Sequence, residues 1–346
     1  MATNNPNEED RLSAASDELE VGDTAPLEPD TNNDDSDFDD GDSAIESLAS
    51  STASIREDLI KEIKLHGRGY TGYMEAKYLL PMDEEERERC DFQHHIVWLT
   101  INQKLNLAPL KHINRVLDAG CGTGIWAIDF ADAHPETEVI GVDLAPVQPH
   151  NVPPNLNFEI DDLEQDWTFS RKFDYIHSQM MCGAFKDWPR YIKQCYEFLE
   201  PNGYFELQDL DVVIRCDDGS MPSNSTIVRW HNYMHDGANK AGFPLDQIPK
   251  VEGMMRDAGF VDIVAIPTKW PINTWPKDKR FKEIGKWVSE NFNWGAESMT
   301  LAIYTNFLGW SIDEVRVFAA AFRADLRNKK LHAYWNFWVI YGRKPE

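Results

Sequence analysis

The stretch VLDAGCGTG at residues 116–124 decides the fold, because it places three glycines at alternating positions between a strand and a helix. The segment RVLDAG (115–120) predicts a short buried strand, and the amphipathic segment GIWAIDFADAH (124–134) predicts a helix. Glycine permits positive φ angles and a close approach of a ligand to the backbone. Nucleotide-type ligands bind at such turns in open α/β sheets. A turn with a purely structural role is the alternative.

Two cofactors compete for a glycine turn in this position. A dinucleotide fingerprint needs a third glycine or an alanine where this sequence has Ile125, so that fingerprint fails. Asp118 precedes the first glycine of the pattern, Gly120, and its carboxylate suits a positively charged ligand better than a pyrophosphate. It can attract the ammonium end of an aminoacyl group. The turn therefore favours S-adenosyl-L-methionine.

Acidic residues end the next two predicted strands. Asp143 closes EVIGVDL (138–144) and can accept hydrogen bonds from both ribose hydroxyls of a bound nucleoside. Asp161 and Asp162 close the third strand, where Asp162 can accept from the adenine amino group and the backbone N–H of Leu163 can meet a ring nitrogen. A solvated acidic turn is the alternative for Asp162. The predicted cofactor residues of this region are Asp118, Gly120, Cys121, Gly122, Gly124, Asp143, Leu144, Asp161, Asp162 and Leu163.

Strands and helices alternate through the middle of the chain, which is typical of a doubly wound parallel sheet with helices on both faces. A helix over 83–107 precedes this region. After Asp211 the alternation lapses. We predict a methyltransferase-type domain over 55–346, with a core at 111–210 and helical additions at 211–250 and 270–330. The remaining predicted elements are strands at 155–161, 173–179, 204–210, 261–267 and 332–345 and a helix at 187–199.

The charge of the chain is unevenly distributed. Its 346 residues include 34 Lys and Arg against 59 Asp and Glu, for a formal net charge of −25. Residues 1–50 contain 16 of the acidic residues and one basic residue, Arg11. This balance argues against direct binding of nucleic acid or of an anionic membrane. Residues 1–54 are predicted to form a disordered acidic tail, which either solubilises the protein or binds a regulatory protein partner.

Cysteine usage and the absence of targeting signals indicate the compartment. The five cysteines contain no CxxC pair, which argues against a zinc ribbon or a thioredoxin motif, and their odd number suits a reducing compartment. The first residues lack the basic and apolar regions of a secretory signal. No apolar run approaches the roughly 18 residues of a membrane span. We therefore expect a cytoplasmic or nuclear protein, or one that occurs in both places.

From about Gly67 to Lys344 the sequence resembles the fungal LaeA-like methyltransferases, a class I group that uses S-adenosyl-L-methionine. The stretches that carry the resemblance are GRGYTGYMEAKYLLPMDEEERER (67–89), the glycine turn with its continuation to HNVPPNLNFEIDDLEQDWTF (150–169), and FDYIHSQMMCGAFKDWPRYIKQCYEFLEPNGYFELQD (173–209). Shorter matches are AGF (258–260), WPKDKRFKEIG (275–285), LGWSIDEV (308–315) and YGRKP (341–345).

The resemblance implies an α/β, Rossmann-like sheet of seven strands with the last strand antiparallel, helical lid additions, and a role in fungal secondary metabolism. It also implies that Arg68 and Tyr70, which match the family's Arg-x-Tyr, close over the cofactor. The sequence departs from the family at Gln179, where the family usually has Arg in a His-x-Arg motif that here begins at His177. This change removes a positive charge near the expected substrate mouth.

His177 is the candidate catalytic residue, because it follows the fourth strand and a neutral imidazole can act as a general base near neutral pH. A hydrogen-bonded structural histidine is the alternative. We predict no metal site, because His231 and His235 lie four residues apart without a third ligand. The function is either methylation of a small metabolite or regulation of biosynthetic clusters, in which case the acceptor is a protein. A non-catalytic or self-methylating regulatory subunit of a nuclear protein complex is the further alternative.

Overall fold

The computed structural model describes residues 22, 24–31, 62–71 and 80–346. The strands are β1 (Glu62–Leu65), β2 (Arg68–Thr71), β3 (Arg115–Ala119), β4 (Glu138–Asp143), β5 (Leu156–Ile160), β6 (Phe173–Gln179), β7 (Leu199–Cys216), β8 (Val261–Pro271) and β9 (Ala333–Arg343). The helices are α1 (Glu84–Thr100), α2 (Ile125–Ala133), α3 (Trp188–Phe198), α4 (Thr226–Ala241), α5 (Val251–Ala258), α6 (Lys279–Gly295), α7 (Ser298–Leu308) and α8 (Ile312–Arg327).

The central sheet has seven strands in the order β5-β4-β3-β6-β7-β9-β8. Each neighbouring pair from β5 to β7 is parallel, and β9 runs antiparallel to both β7 and β8. Every residue of β3 is buried, as expected of a strand that helices cover on both faces. The predicted fold class, a Rossmann-like sheet of seven strands with the last one antiparallel, is therefore confirmed.

Four of the helices after β7 pack together against the sheet. α4, α6, α7 and α8 share one hydrophobic cluster with β7, β8 and β9, and its large side chains include Trp230, Trp270, Phe292 and Trp335. A second cluster joins α3 and α5 to the sheet, and a third surrounds α2. None of the helices in the described ranges has the length and apolar character that crossing a membrane requires.

The two largest differences from the predicted ends occur in α1 and β7. α1 ends at Thr100 rather than at residue 107, because Asn102 and Gln103 take the left-handed conformation with φ of 57° and 61°. β7 continues to Cys216 rather than ending at residue 210, because its later residues pair with β9 as far as Cys216 opposite Ala333. The helical additions thus begin after residue 216.

Part of the predicted disordered tail lies against the folded domain. Pro29 forms a β-bridge with Pro276, the backbone N–H of Asp30 donates to the Trp275 carbonyl at 2.8 Å, and Leu27 packs against the largest hydrophobic cluster. Residues 24–31 therefore depart from the predicted disorder, because this segment combines an apolar side chain with acids that pair with lysines of the domain. Most of the remaining 1–54 segment lies outside the described residues.

Candidate functional site

A cavity of about 300 Å³ lies at the carboxyl ends of β3, β4, β5 and β6 and extends between the helical additions. The parallel strands bring the predicted cofactor residues together at this edge, because the carboxyl ends of neighbouring parallel strands meet there. The predicted residues that line the cavity are Asp118, Gly120, Cys121, Gly122, Asp143, Leu144, Asp161, Asp162 and Leu163. The cavity lining does not include four of the predicted residues, which are Arg68, Tyr70, Gly124 and His177.

The glycine turn has the backbone that its sequence predicts. Gly120, Gly122 and Gly124 have φ of 79°, 54° and 83°, the left-handed region that favours glycine. A Cβ atom on Gly120 would lie 2.2 Å from Met181 Sδ, and one on Gly124 would lie 2.2 Å from Phe158 Cζ. Gly120 thus keeps the cavity open beside Met181, whereas Gly124 permits the close packing of α2 on β5.

Asp143 connects the glycine turn to the next strand. Its Oδ2 accepts from the backbone N–H of Gly122 at 2.8 Å, and its Oδ1 accepts from that of Ala145 at 2.9 Å. Burial raises the pKa of the Asp143 carboxyl above its ordinary value, and the backbone N–H donors oppose this shift. Each carboxylate oxygen has a second lone pair, so the side chain can hold the turn and still accept from a ligand.

Asp118 retains an unused acceptor. Its Oδ1 accepts from His177 Nδ1 at 2.8 Å, while its Oδ2 is buried and accepts no hydrogen bond from the described part of the chain. An orphaned carboxylate oxygen beside a glycine turn fits the ammonium group of an aminoacyl ligand. Asp118 therefore has an acceptor left for such a ligand, and its contact with the ammonium group stays a prediction.

His177 does not reach the cavity, which argues against its prediction as a general base. The side chain is fully buried and stacks on Trp126 with ring centroids 3.6 Å apart and planes within 8°. The register of β6 on β3 places His177 directly opposite Asp118. The imidazole is therefore a hydrogen-bonded structural histidine that orients the Asp118 carboxylate.

The acidic turn after β5 is held by local hydrogen bonds. Asp161 Oδ1 accepts from the Asp162 N–H at 2.8 Å, and Asp162 Oδ1 accepts from the Glu164 N–H at 3.0 Å. Asp162 Oδ2 lies 3.2 Å from the Gln165 amide nitrogen. Asp162 thus shapes the turn that presents Leu163 to the cavity, in addition to lining the cavity itself.

Arg68 and Tyr70 are not among the residues that line the cavity. The Arg68 guanidinium donates to both carboxylate oxygens of Asp83, the N-cap residue of α1, at 2.5 and 2.8 Å. Tyr70 is fully buried, and burial raises its pKa to about 12. Arg68 thus fixes the start of α1, and the closure of Arg68 and Tyr70 over the cofactor stays a prediction of the resemblance.

Helix α1 contributes cavity residues that the sequence reasoning missed. Arg89, Gln93 and His94 line the cavity. His94 Nδ1 lies 3.3 Å from Gln179 Oε1, and its Nε2 lies 3.4 Å from Asp129 Oδ2. Among the described residues, Arg89 and His94 are the cationic or titratable basic side chains that line the cavity. The one sequence signal for this role is the spacing of Arg89 and Gln93, which lie four residues apart on one face of the helix and could therefore line the same cavity.

Residues of the helical additions form an apolar chamber at the other end of the cavity. We use the term apolar chamber for the part lined by Trp230, Met234, Ala238, Phe243, Leu245, Phe292, Met299 and Ile303. The segment Met180–Met181, which follows β6, lies between this chamber and the glycine turn. The cavity thus has an acidic end on the sheet and an apolar end among the helices.

Comparisons with known proteins agree with this geometry. Residues 90–265 match the family described as a methyltransferase domain. The methyltransferase pytC of Aspergillus terreus is 39% identical over 298 residues, which cover 86% of this chain and 92% of that protein. The chain belongs to the methyltransferase family. As a class I methyltransferase, it uses S-adenosyl-L-methionine as its cofactor.

Two further relatives of this methyltransferase have names that refer to regulation. The secondary metabolism regulator LAE1 of Cochliobolus heterostrophus is 36% identical, with 81% of this chain and 94% of that protein covered. The secondary metabolism regulator laeA of Aspergillus flavus is 33% identical, with 81% of this chain and 77% of that protein covered. The resemblance to LaeA-like proteins is therefore confirmed over most of the chain.

Proposed function

We propose that this methyltransferase transfers a methyl group from S-adenosyl-L-methionine to a small metabolite of fungal secondary metabolism. The observation that carries the proposal is the continuity of one cavity, which joins the acidic strand ends to the apolar chamber. A methyl donor and an acceptor must meet in one water-poor space for an in-line transfer. The relative pytC, at 39% identity, is itself named a methyltransferase.

The residues of the acidic end divide between the parts of the cofactor. Asp118, with its orphaned Oδ2, holds the ammonium group, and Asp143 accepts from the ribose hydroxyls. Leu163 and the acidic turn around it border the adenine. Leu144 and Cys121 supply neutral walls, since burial raises the pKa of the Cys121 thiol well above its ordinary value. The backbone of the glycine turn allows close approach throughout.

The carboxylate of the cofactor needs a hydrogen-bond donor at this acidic end. Arg89 is engaged by Glu86, with nitrogen–oxygen distances of 2.9 and 2.7 Å, so it offers little free charge. His94 lines the cavity, and its buried Nε2 forms no hydrogen bond with the described residues, since the Asp129 carboxylate oxygen lies 3.4 Å away. We assign the carboxylate contact to His94.

Positioning and exclusion of water are the chain's contributions to the transfer itself. When bound, the cofactor supplies an electrophilic methyl group on a sulfonium, and this reactivity needs no protein nucleophile. A general base is required only for an acceptor that starts protonated. Since His177 is buried behind Asp118, it does not take that role. The buried side chains of the apolar chamber exclude water from the reacting atoms.

Regulation of secondary metabolism is the second candidate, favoured by the relatives LAE1 and laeA, which are named regulators. In that case the acceptor is a protein, or this protein methylates itself, and the acidic tail binds a regulatory partner. A cytoplasmic location suits the first function and a nuclear location suits the second. Removing the tail separates the two: a metabolite enzyme stays active in vitro, whereas a regulator loses its partner in a pull-down.

Calorimetric titration with S-adenosyl-L-methionine and with S-adenosyl-L-homocysteine tests the cofactor site directly. We expect both to bind at one site per chain. A folded protein that binds neither would overturn the proposed function and would leave an interaction protein with a retained fold. Release of S-adenosyl-L-homocysteine in the presence of candidate acceptors then measures turnover.

A further inference from the structure

We propose that the acceptor is an uncharged hydrophobic small molecule that presents a carbonyl or ether oxygen to the indole N–H of Trp230. This inference rests on the proposed function, because it assigns the acceptor half of the same cavity. It names the chemical class of the substrate and the residue that orients it. Neither follows from the family to which the chain belongs.

The enclosure of the apolar chamber argues for a small molecule. Its walls come from α4, α6 and α7 and from the segment that follows α4. Trp230, Ala238 and Phe292 are between 1% and 3% exposed, and Ile303 is 5% exposed. These walls are almost completely buried, so a ligand that contacts them loses most of its hydration. A folded protein surface cannot enter such a space.

The chemistry of the lining argues for an uncharged ligand. Every charged side chain that lines the cavity belongs to α1 or to the strand ends between residues 118 and 164. From Met180 to Ile303 the lining residues in the described part of the chain carry no charge. Burying an unpaired charge in such surroundings is strongly unfavourable. A carboxylate or ammonium on the acceptor would have no partner in the chamber.

Trp230 supplies the polar feature that can orient such a ligand. Its indole ring is fixed by stacking on Phe322, with centroids 5.2 Å apart and planes within 23°, yet its Nε1 is buried and donates to no described atom. Trp188, Trp335 and Trp338 also have unpaired indole nitrogens, but they do not line the cavity. A buried donor without an acceptor is unfavourable, and a ligand oxygen would satisfy this one.

The apolar chamber adjoins the donor end through the segment after β6. The Met181 N–H donates to Asp209 Oδ2 at 2.8 Å, and the Met180 N–H donates to the Gln208 carbonyl at 2.9 Å. Met181 in turn packs over Gly120. A ligand in the chamber therefore lies beside the aminoacyl side of the glycine turn, which is where an acceptor must lie for methyl transfer.

A matched pair of fluorescent probes tests the inference. The uncharged ketone 6-propionyl-2-(dimethylamino)naphthalene shifts its emission to the blue in apolar surroundings, and 6-(dimethylamino)naphthalene-2-carboxylate keeps the ring but carries a charge. Both are titrated into the full chain saturated with S-adenosyl-L-homocysteine. We expect the ketone to bind with a blue shift at one site per chain, and the carboxylate to bind at least about tenfold more weakly.

Three variants locate the ketone. Ala238→Leu fills the apolar chamber and should weaken ketone binding by about tenfold or more, while Asn239→Leu, the exposed neighbour on α4, should leave it unchanged. Trp230→Phe keeps an aromatic ring and removes the N–H, so we expect about threefold to tenfold weaker binding. Trp230→Phe should also shift the bound probe's emission further to the blue, because its carbonyl loses a hydrogen bond.

The same samples separate the failure of this inference from that of the proposed function. The affinity for S-adenosyl-L-homocysteine is measured for the wild-type chain and for each variant. No binding of this ligand by the wild-type chain would refute the cofactor site. Intact cofactor binding with equal affinity for both probes would overturn the acceptor class. So would ketone binding that Ala238→Leu leaves unaltered. Should Ala238→Leu fail to fold, the probe pair and Trp230→Phe decide alone.

Discussion

Replacing Asp143 by Asn separates the two tasks of this side chain. In the wild type its two carboxylate oxygens accept from the N–H groups of Gly122 and Ala145 at 2.8 and 2.9 Å. An Asn side chain has nearly the same volume, but its amide NH₂ must face one of these donors. One backbone N–H of the turn therefore loses its acceptor, and the negative charge that faces the cavity disappears.

Both effects can be sized. A buried donor left unsatisfied costs about 1–3 kcal/mol, so we expect Asp143→Asn to lower the free energy of unfolding by about that amount. A ribose hydroxyl that donates to a charged acceptor contributes about 1.5–3 kcal/mol. Losing one such bond weakens S-adenosyl-L-homocysteine binding by roughly 10-fold to 150-fold.

Calorimetric titration measures the affinity, and a thermal melt of the same sample shows whether the variant is folded. Glu159→Gln is the matched control, because Glu159 is an exposed carboxylate on β5 of the same sheet. The control should bind as the wild type does. A folded Asp143→Asn protein with an affinity within about twofold of the wild type would refute the assignment of Asp143 to the ribose.

The other predictions concern His94, the tail and Asp209. His94→Gln should weaken the binding of S-adenosyl-L-methionine by about tenfold and leave the affinity for decarboxylated S-adenosylmethionine unchanged. An equal loss of affinity for the two ligands would refute the contact between His94 and the cofactor carboxylate. A chain starting at residue 32 should melt roughly 2–6 °C below one starting at residue 22, because it loses the bonds that Glu28 and Asp30 make with the domain, and identical melts would contradict this. Burial raises the pKa of Asp209 from its ordinary 3.8 to about 8, so between these pH values the folded state keeps a proton that the unfolded chain releases. The free energy of unfolding should therefore fall by up to about 1.4 kcal/mol per pH unit over this range. Denaturant melts at several pH values should show a smaller dependence of this free energy on pH for Asp209→Asn, and an unchanged dependence would exclude Asp209 as its source.

The acidic end of the cavity was predictable because its information is local. Its residues lie at the carboxyl ends of strands or directly after them, and a parallel sheet gathers such positions at one edge whatever the helices do. The registers Ala119 opposite Val142 and Asp143 opposite Ile160 achieve this here. The predicted alternation of strands and helices was therefore enough to place the glycine turn and Asp143 at the same edge of the sheet.

The direction of a side chain at the end of a strand was not predictable in the same way. His177 and Gln179 lie two residues apart on β6, yet Gln179 lines the cavity and His177 stacks on Trp126. The difference depends on where α2 places its indole ring, a contact between segments about 50 residues apart. No local pattern around His177 records that contact.

The tail shows the same limit in composition-based reasoning. Averaged over its length, the acidic segment has too few apolar residues to fold by itself. Residues 24–31 nonetheless dock, since a single Leu27 and two backbone bonds use a surface that the rest of the chain has already built. Amino-acid composition indicates whether a segment can form a hydrophobic core by itself. It does not indicate whether the segment can pack against a core that other residues form.

The departure at Gln179 connects the two ends of the cavity. LaeA-like relatives are expected to carry Arg at this position, whereas here a neutral amide lines the cavity 3.3 Å from His94. An arginine there would place a second basic side chain beside the imidazole. It would also place a charge where the cavity turns toward the apolar chamber. Glutamine avoids both, so His94 remains the side chain proposed for the cofactor carboxylate and the chamber remains uncharged. The same substitution thus suits the carboxylate contact proposed for His94 and the uncharged acceptor proposed for the chamber.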